Sequence, residues 1–294
     1  MECSIADSFP NRNGLRPFSL RCAKPSRRGF TGAGWLVHCN FMRTAIVIPA
    51  RYASTRLPAK ALLRETGKYL VQHAYEQALK VRGVEAVIVA TDDSRILAAV
   101  ESFGGRAVMT RKDHPSGSDR IAEVARSLDV DIIVNLQGDE PLIDPGSLEM
   151  LANLLKDDPQ AEMATLAMPI PSEETYHNPN CVKVVCGEGG RALYFSRSPI
   201  PFVRDARPDF AAKPSRFLHH LGLYAYRRDA LLAFPSLPPH PLEQLEKLEQ
   251  LRALGHGWTI RVGIIEHAGR GVDTPADYQR FVEEYRTSQA VRES

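Results

Sequence analysis

The stretch Thr44 to Lys60, T-A-I-V-I-P-A-R-Y-A-S-T-R-L-P-A-K, constrains the fold of this chain more than any other. It begins as an unbroken apolar run, Ala45 to Ile48. A strand with one face in water alternates apolar and polar residues, so an unbroken run marks a parallel strand covered on both faces. Pro49 stops the run, and the loop behind it carries Arg51, Arg56 and Lys60 among small residues. Open α/β sheets bind ligands in the crevice beyond the carboxyl ends of their strands. Three cations placed there suit a polyphosphate, because guanidinium groups pair with phosphate oxygens bidentately and a lysine adds a movable point charge. Three solvated surface cations are the ordinary alternative, but no acidic residue stands among them to form a salt-bridged surface. No G-x-x-x-x-G-K-[ST] occurs in the chain, so this loop is not a Walker-type cradle.

The same succession of strand and helix continues. Lys68 to Lys80 has a helical period, and Glu85 to Ala90 is a second buried strand ending in Thr91-Asp92-Asp93. Asp93 or Ser94 caps a helix to about Phe103, and Ala107 to Met109 is a short third strand. Asp131 to Leu136 is another buried strand, Gly146 to Leu155 a helix and Met163 to Ile170 a strand. The alternation predicts a mostly parallel, doubly wound sheet. From about Pro171 the texture changes. Val182 to Val185 and Ala192 to Phe195 flank a glycine cluster, which predicts a β-hairpin; no helix follows those glycines, so they are a turn and not a phosphate loop. Ser198 to Pro214 is a Pro-rich, charged long loop, and His219 to Tyr226 is a strand returning to the core. Pro241 to Leu254 predicts one continuous periodic helix with a solvated outer face, and Ile260 to Ile264 alternates as a strand. Thr274 and Pro275 suit the N-cap and first position of a final helix.

Three of the connecting turns are candidates for chemistry. Gln137-Gly138-Asp139-Glu140-Pro141 follows a buried strand, which brings Asp139 to the crevice of the arginine loop. A carboxylate beside a polyphosphate is best read as a Mg²⁺ ligand, since that ion takes one or two carboxylates and completes its shell with phosphate oxygens and water. Asp273 brings one more carboxylate just before the last helix. His114-Pro115-Ser116-Gly117-Ser118 precedes a helical period. Ser116 or Ser118 is a simple N-cap on one reading; on the other, the free amides there meet a base edge or a phosphate, and spacing leaves both open. His219 and His220 point to opposite faces of their strand and have no spaced partner, so zinc is not expected.

Composition excludes several classes. With 37 basic and 35 acidic residues among 294 there is no basic stripe for nucleic acid, and no apolar run approaches a membrane span. Five cysteines, odd in number and without C-x-x-C, argue for a reducing compartment and against a disulfide framework. Residues 1–41 hold six of the basic residues and two of the acidic ones, which leaves 31 and 33 for the remainder. That segment lacks periodicity and resembles a transit peptide only loosely. It is expected to be a disordered extension, with Met42 an alternative start just ahead of the first strand.

Six blocks in order, A-R-Y-A-S-T-R-L-P-x-K (Ala50 to Lys60), Q-G-D-E-P (Gln137 to Pro141), A-L-Y-F-S-R (Ala192 to Arg197), H-L-G-L-Y (His220 to Tyr224), L-E-Q-L-R (Leu248 to Arg252) and G-V-D-T-P (Gly271 to Pro275), resemble the 3-deoxy-manno-octulosonate cytidylyltransferase family from about Met42 to Tyr285. The resemblance implies a Rossmann-like nucleotide-diphospho-sugar transferase fold. It implies one domain over 42–288: a CTP-binding part to about 170, a smaller mixed β/α sugar-binding and dimerisation part over 171–265, and a returning helix over 275–287. The implied reaction is CTP plus 3-deoxy-manno-octulosonate (Kdo) giving CMP-Kdo and pyrophosphate, with Mg²⁺, in a cytoplasmic homodimer that serves lipopolysaccharide assembly. By position, Arg51, Arg56 and Lys60 would grip the triphosphate, with Ser116, Gly117 and Ser118 by the cytidine. Gln137 would lie between nucleotide and sugar. Asp139 and Asp273 would hold the metal, and together with the three cations they would form the catalytic set. Arg197, His220, Tyr224, Glu249 and Gln250 would surround the sugar acid. No protein general base stands out, so metal activation of the sugar hydroxyl is the expected route. The chain departs from the family at Ala59, where glycine is usual, at Ala61, where proline is usual, and at Tyr69, where proline follows G-K. The methyl of Ala59 is expected to crowd the approach to phosphate. The rival readings are a cytidylyltransferase for another acidic sugar, such as sialic acid or amino-Kdo, and a catalytically silent nucleotide- or sugar-binding regulator.

Overall fold

A computed structural model describes residues 42–53 and 57–293. Arg56, and the expected extension over 1–41, lie outside the described residues. The elements run β1 (Thr44–Ala50), α1 (Leu70–Ala78), β2 (Val84–Thr91), α2 (Ser94–Ser102), β3 (Ala107–Met109), α3 (Gly117–Ala125), β4 (Ile132–Asn135), α4 (Pro145–Asp157) and β5 (Met163–Pro169). They continue with α5 (Glu173–His177), β6 (Lys183–Cys186), β7 (Ala192–Ser196), β8 (Leu218–Arg227), α6 (Arg228–Ala233), α7 (Pro241–Glu246), α8 (Gln250–Gly255), β9 (Ile260–Ile264) and α9 (Pro275–Glu293).

Why β1 is apolar without interruption is visible in its packing. Ile46 and Ile48 join Val71, Ala74, Leu148 and Leu151 on one side of the sheet, while Ala45 and Val47 join Ile121, Ala125 and Leu231 on the other. Helices cover both faces, and each fully buried isoleucine contributes roughly 2 kcal/mol. The sheet order among described residues is β3-β2-β1-β4-β8-β5-β9. β1 pairs in parallel with β2 and β4, and β2 with β3, which is the doubly wound half. β8 then enters antiparallel between β4 and β5, and β9 closes the edge parallel to β5. β6 and β7 form the antiparallel hairpin, and β6 also pairs with β8. The sheet is therefore parallel at the β3 end and mixed at the other.

β8 does not run straight. Thr165 of β5 faces Tyr224 but Ala167 faces His220, so β8 carries a bulge, and Gly222 at its centre has φ +70. The glycine of H-L-G-L-Y is there because a side chain at that φ would be strained. Ala59 is a comparable case without the glycine: it takes φ 53 ahead of the short 3₁₀ turn Lys60–Leu62. Glycine would hold that left-handed conformation at no steric cost, whereas alanine carries roughly 1 kcal/mol of strain. The departure at Ala59 thus bears on the backbone that presents Lys60.

The continuous helix expected over Pro241 to Leu254 is two helices. Lys247 sits at φ 53 and ends α7, and α8 restarts at Gln250. Leu248 and Leu251 are buried while Leu245 is 79% exposed, so the core takes the second half of the leucine pattern and leaves the first in solvent. An Arg252–Glu243 pair at 2.6 Å ties the halves across the break. The helical period was real, but a kink outweighed it because burying Leu248 and Leu251 required a new axis. The loop over 198–214 is tethered at its start, where the Tyr176 hydroxyl donates to the Pro201 carbonyl at 2.8 Å, and Val203 and Phe210 pack on Ile170, Tyr176 and Phe217.

Candidate active site

The loop after β1, the turn after β4 and the loop before α9 meet at one place. Lys60 forms ion pairs with Asp139 and, at 3.3 Å, with Asp273. The acidic partners missing from the local sequence thus arrive from 79 and 213 residues away. The approach of the last loop is set by backbone. Val272 N–H donates to the Asp139 carbonyl at 2.8 Å. A Cβ on Gly269 would come within 2.6 Å of the Leu142 carbonyl, so only glycine fits there. Thr274 and Asp277 cap α9 reciprocally, with Asp277 N–H on the Thr274 hydroxyl at 3.2 Å and Thr274 N–H on the Asp277 carboxylate at 2.9 Å. Glu140 lies beside the two aspartates; burial first, then the Asp139 and Asp273 charges, pushes its carboxyl up to about 8.

Next to this cluster opens a cleft of about 190 Å³ lined by Pro49, Ala50, Arg51, His114, Pro115, Ser116, Gly117, Arg120 and Gln137. Arg51, Ser116, Gly117 and Gln137, all named from the sequence, share it. His114 and Arg120 were missed. Arg120 is buried at 4% exposure and fixed by Asp92 at 2.7 Å and by the Thr110 hydroxyl, and His114 pairs with Glu123. The D-D after β2 was the available signal for Arg120's partner. Ser116 caps α3, accepting from Asp119 N–H at 3.2 Å. Capping and recognition do not compete, since the cap uses the hydroxyl and Gly117 still faces the cleft.

Ser118 turns away from the cleft and donates to Glu249 at 2.9 Å. Glu249 lies in the break between α7 and α8, so the kink is what brings this carboxylate to α3. Burial raises its pKa, and the Ser118 and Ser116 hydroxyls partly offset this. On the far side stand Gln250, His220 and Tyr224, with the last two rings 5.4 Å apart. The sheet explains the adjacency: Asn135, two residues before Gln137, is paired with Tyr224. Arg197 is anchored beside this group, its Nε donating to the Glu246 carbonyl at 2.8 Å and its Nη1 to that of Pro179 at 3.0 Å. Beneath it, fully buried Lys183 donates to the carbonyls of Asn178, Cys181 and Arg197 at 2.7 to 2.9 Å.

Residues 45–260 match the family described as Cytidylyltransferase. The chain is 53% identical over 244 residues to the 3-deoxy-manno-octulosonate cytidylyltransferase of Syntrophobacter fumaroxidans, covering 82% of this chain and 96% of that one. It is 50% identical to the protein of the same name from Escherichia coli, over 80% of this chain and 92% of the relative. This chain belongs to the 3-deoxy-manno-octulosonate cytidylyltransferase family. A solved structure of a CMP:2-keto-3-deoxy-manno-octonic acid synthetase complexed with CTP superposes with a TM-score of 0.78 at 48% identity, covering 84% of this chain and 99% of that one. A cytidylyltransferase from Leptospira borgpetersenii, at 18% identity and a TM-score of 0.55, shares the fold. The α/β class read from the strand and helix alternation is the fold of the cytidylyltransferases.

Among the residues that the family resemblance assigns to the sugar, His220 has a particular setting. The Thr165 hydroxyl donates to the Leu223 carbonyl at 2.6 Å, so its oxygen accepts from His220 Nε2 at 2.9 Å. The ring proton is thereby assigned to Nε2, and Nδ1 accepts from the Gln250 amide at 3.5 Å. Burial drives the His220 pKa down to about 3, so the folded protein holds this imidazole neutral. The unfolded chain takes up a proton there below about pH 6.5. The unfolded state binds more protons across this window, so stability is present above pH 6.5 and is lost as the pH falls toward 3, at about 1.4 kcal/mol per pH unit. Urea denaturation between pH 7 and 4 is expected to show a shallower pH slope in His220→Gln than in the unsubstituted protein; parallel slopes would exclude this account.

Proposed function

We propose that this protein transfers CMP from CTP to the anomeric hydroxyl of Kdo, releasing pyrophosphate. Support comes from the meeting of Lys60, Asp139 and Asp273 beside the Arg51 cleft, in a chain about half identical to cytidylyltransferases named for that sugar acid. Both reactants are anions, so joining them needs positive charge at the point of reaction. Arg51 and Lys60 supply it from the β1 loop, and Arg56 belongs to the same loop. Ser116, Gly117 and Gln137 face the cleft, which suits the cytidine. Glu249 accepts from Ser118 and is followed directly by Gln250, which meets His220, so it stands between the two proposed subsites. Arg197 is suited to the sugar's carboxylate by its charge, held in place by the Glu246 and Pro179 carbonyls. In the reaction the sugar oxygen forms a bond to the α-phosphorus, the bond from that phosphorus to the β-phosphate oxygen breaks, and the hydroxyl proton passes to solvent.

Asp139 and Asp273 suit a divalent cation, for which the Lys60 ammonium is the stand-in: one positive charge already draws an oxygen from each carboxylate. Among the described residues no group of three or more His, Cys, Asp or Glu side chains could hold a metal. Two carboxylates completed by phosphate oxygens fit Mg²⁺ better than zinc. When bound, Mg²⁺ would supply charge for the triphosphate and acidity to the attacking hydroxyl. A cytoplasmic homodimer serving lipopolysaccharide assembly accords with this role, and no helix among the described residues is long and apolar enough to cross a membrane. Pyrophosphate release is the deciding assay. With CTP and Kdo it is expected at least about a hundredfold faster than with ATP, GTP or UTP, or with sialic acid in place of Kdo. Equal rates with sialic acid would move the assignment to another acidic sugar, and no release with any pair would favour a regulator.

A further inference from the structure

Lys60 has two kinds of work to do, and its geometry separates them. As a triphosphate ligand its ammonium belongs on phosphate oxygens. In this structure it lies instead on Asp139 and Asp273, with its side chain only 17% exposed. Two carboxylates drawn to one spot repel unless a cation stands between them. The backbone holds them there regardless, through Val272 on the Asp139 carbonyl and Gly269 against Leu142. A flexible four-carbon stem on the 3₁₀ turn Lys60–Leu62 lets the ammonium swing without moving its Cα.

We propose that Lys60 is a placeholder cation, which keeps Asp139 and Asp273 paired before substrate arrives and competes with a divalent ion for their oxygens. The inference rests on the reading of the two aspartates as the metal site. It fixes an order of events. The empty protein binds free metal poorly because the seat is taken. A polyphosphate draws the ammonium onto its own oxygens, the seat opens, and metal affinity rises. Coupling between two ligands is reciprocal, so metal strengthens nucleotide binding by the same factor. Metal and nucleotide therefore enter together, and neither carboxylate is left uncompensated at any stage.

The test measures Mn²⁺ binding to nucleotide-free protein by the loss of the free-ion electron paramagnetic resonance signal. Lys60→Met and Lys60→Gln are expected to bind Mn²⁺ about tenfold more tightly than the unsubstituted protein, within the usual range of coupling between neighbouring sites. Mg²⁺ alone should also raise their melting temperature, while leaving that of the unsubstituted protein nearly unchanged. Arg51→Gln, which removes an equal charge from the same loop, should alter Mn²⁺ affinity less than about twofold, because exposed charges act weakly at a distance. Unchanged Mn²⁺ affinity in both Lys60 variants would overturn the placeholder role, as would an equal gain in Arg51→Gln. The underlying reading has its own control. If Lys60→Met/Asp139→Asn keeps the full Mn²⁺ affinity of Lys60→Met, these aspartates are not the metal site and both ideas fall.

Discussion

Asp139→Asn is expected to lower the rate of pyrophosphate release by about a thousandfold while leaving the melting temperature within about 2 °C of the unsubstituted value. The two halves of that expectation have separate causes. On the proposed function the carboxylate serves chemistry by holding positive charge against the triphosphate, and an amide of the same shape carries no charge with which to do so. The fold draws on Asp139 through its main chain, whose carbonyl accepts from Val272, and the substitution leaves that bond in place. The ion pair to Lys60 is partly exposed, and such pairs contribute about 1 kcal/mol or less. Steady-state kinetics with saturating Mg²⁺, read beside a thermal melt, checks both halves. A variant that melts normally and keeps a tenth or more of the rate would remove Asp139 from the catalytic set.

The second large effect concerns stability and lies away from the reacting atoms. Lys183→Met should lower the free energy of unfolding by about 3 kcal/mol, because three carbonyls lose the charged donor that a fully buried side chain brings to them. Burial pulls the Lys183 pKa down, yet its three acceptors favour the protonated form. Methionine fills nearly the same volume, so the loss reports hydrogen bonding and not a cavity. One of the carbonyls belongs to Arg197, whose side chain is proposed to meet the sugar acid. The KM for Kdo should therefore rise about tenfold while that for CTP stays constant, the mark of lost binding for one substrate only. Urea denaturation and initial rates measure the two effects, and an unchanged urea midpoint would refute the buried-donor account.

Local pattern reached a long way into this molecule. Apolar runs at Ala45 to Ile48 and Ala86 to Ala90 announce strands covered on both faces, because burial on two sides forbids alternation. The Thr274-Pro275 start of α9 and the Ser116 cap of α3 are written in neighbouring residues. The continuous helix over Pro241 to Leu254 failed for a reason no local window contains. Its period is helical throughout, but the core accepts Leu248 and Leu251 only after a turn at Lys247, and that turn is what carries Glu249 to Ser118. Arg120 was overlooked for a similar reason. A buried arginine looks like any helix-surface cation until Asp92 and Thr110 are brought to it.

By itself the sequence determined the alternation of strands and helices through β5, the cationic loop after the first strand, and membership of the cytidylyltransferase family. These depend on residue type and spacing along the chain. Which distant groups share a site was decided by the tertiary structure alone: Lys60 with Asp139 and Asp273, Ser118 with Glu249, and the Thr165-His220-Gln250 chain. Electrostatic and hydrogen-bond interactions act over a few ångströms of space and not along the chain. Residues 213 positions apart become partners only when strand register and a glycine-permitted loop docking bring them there.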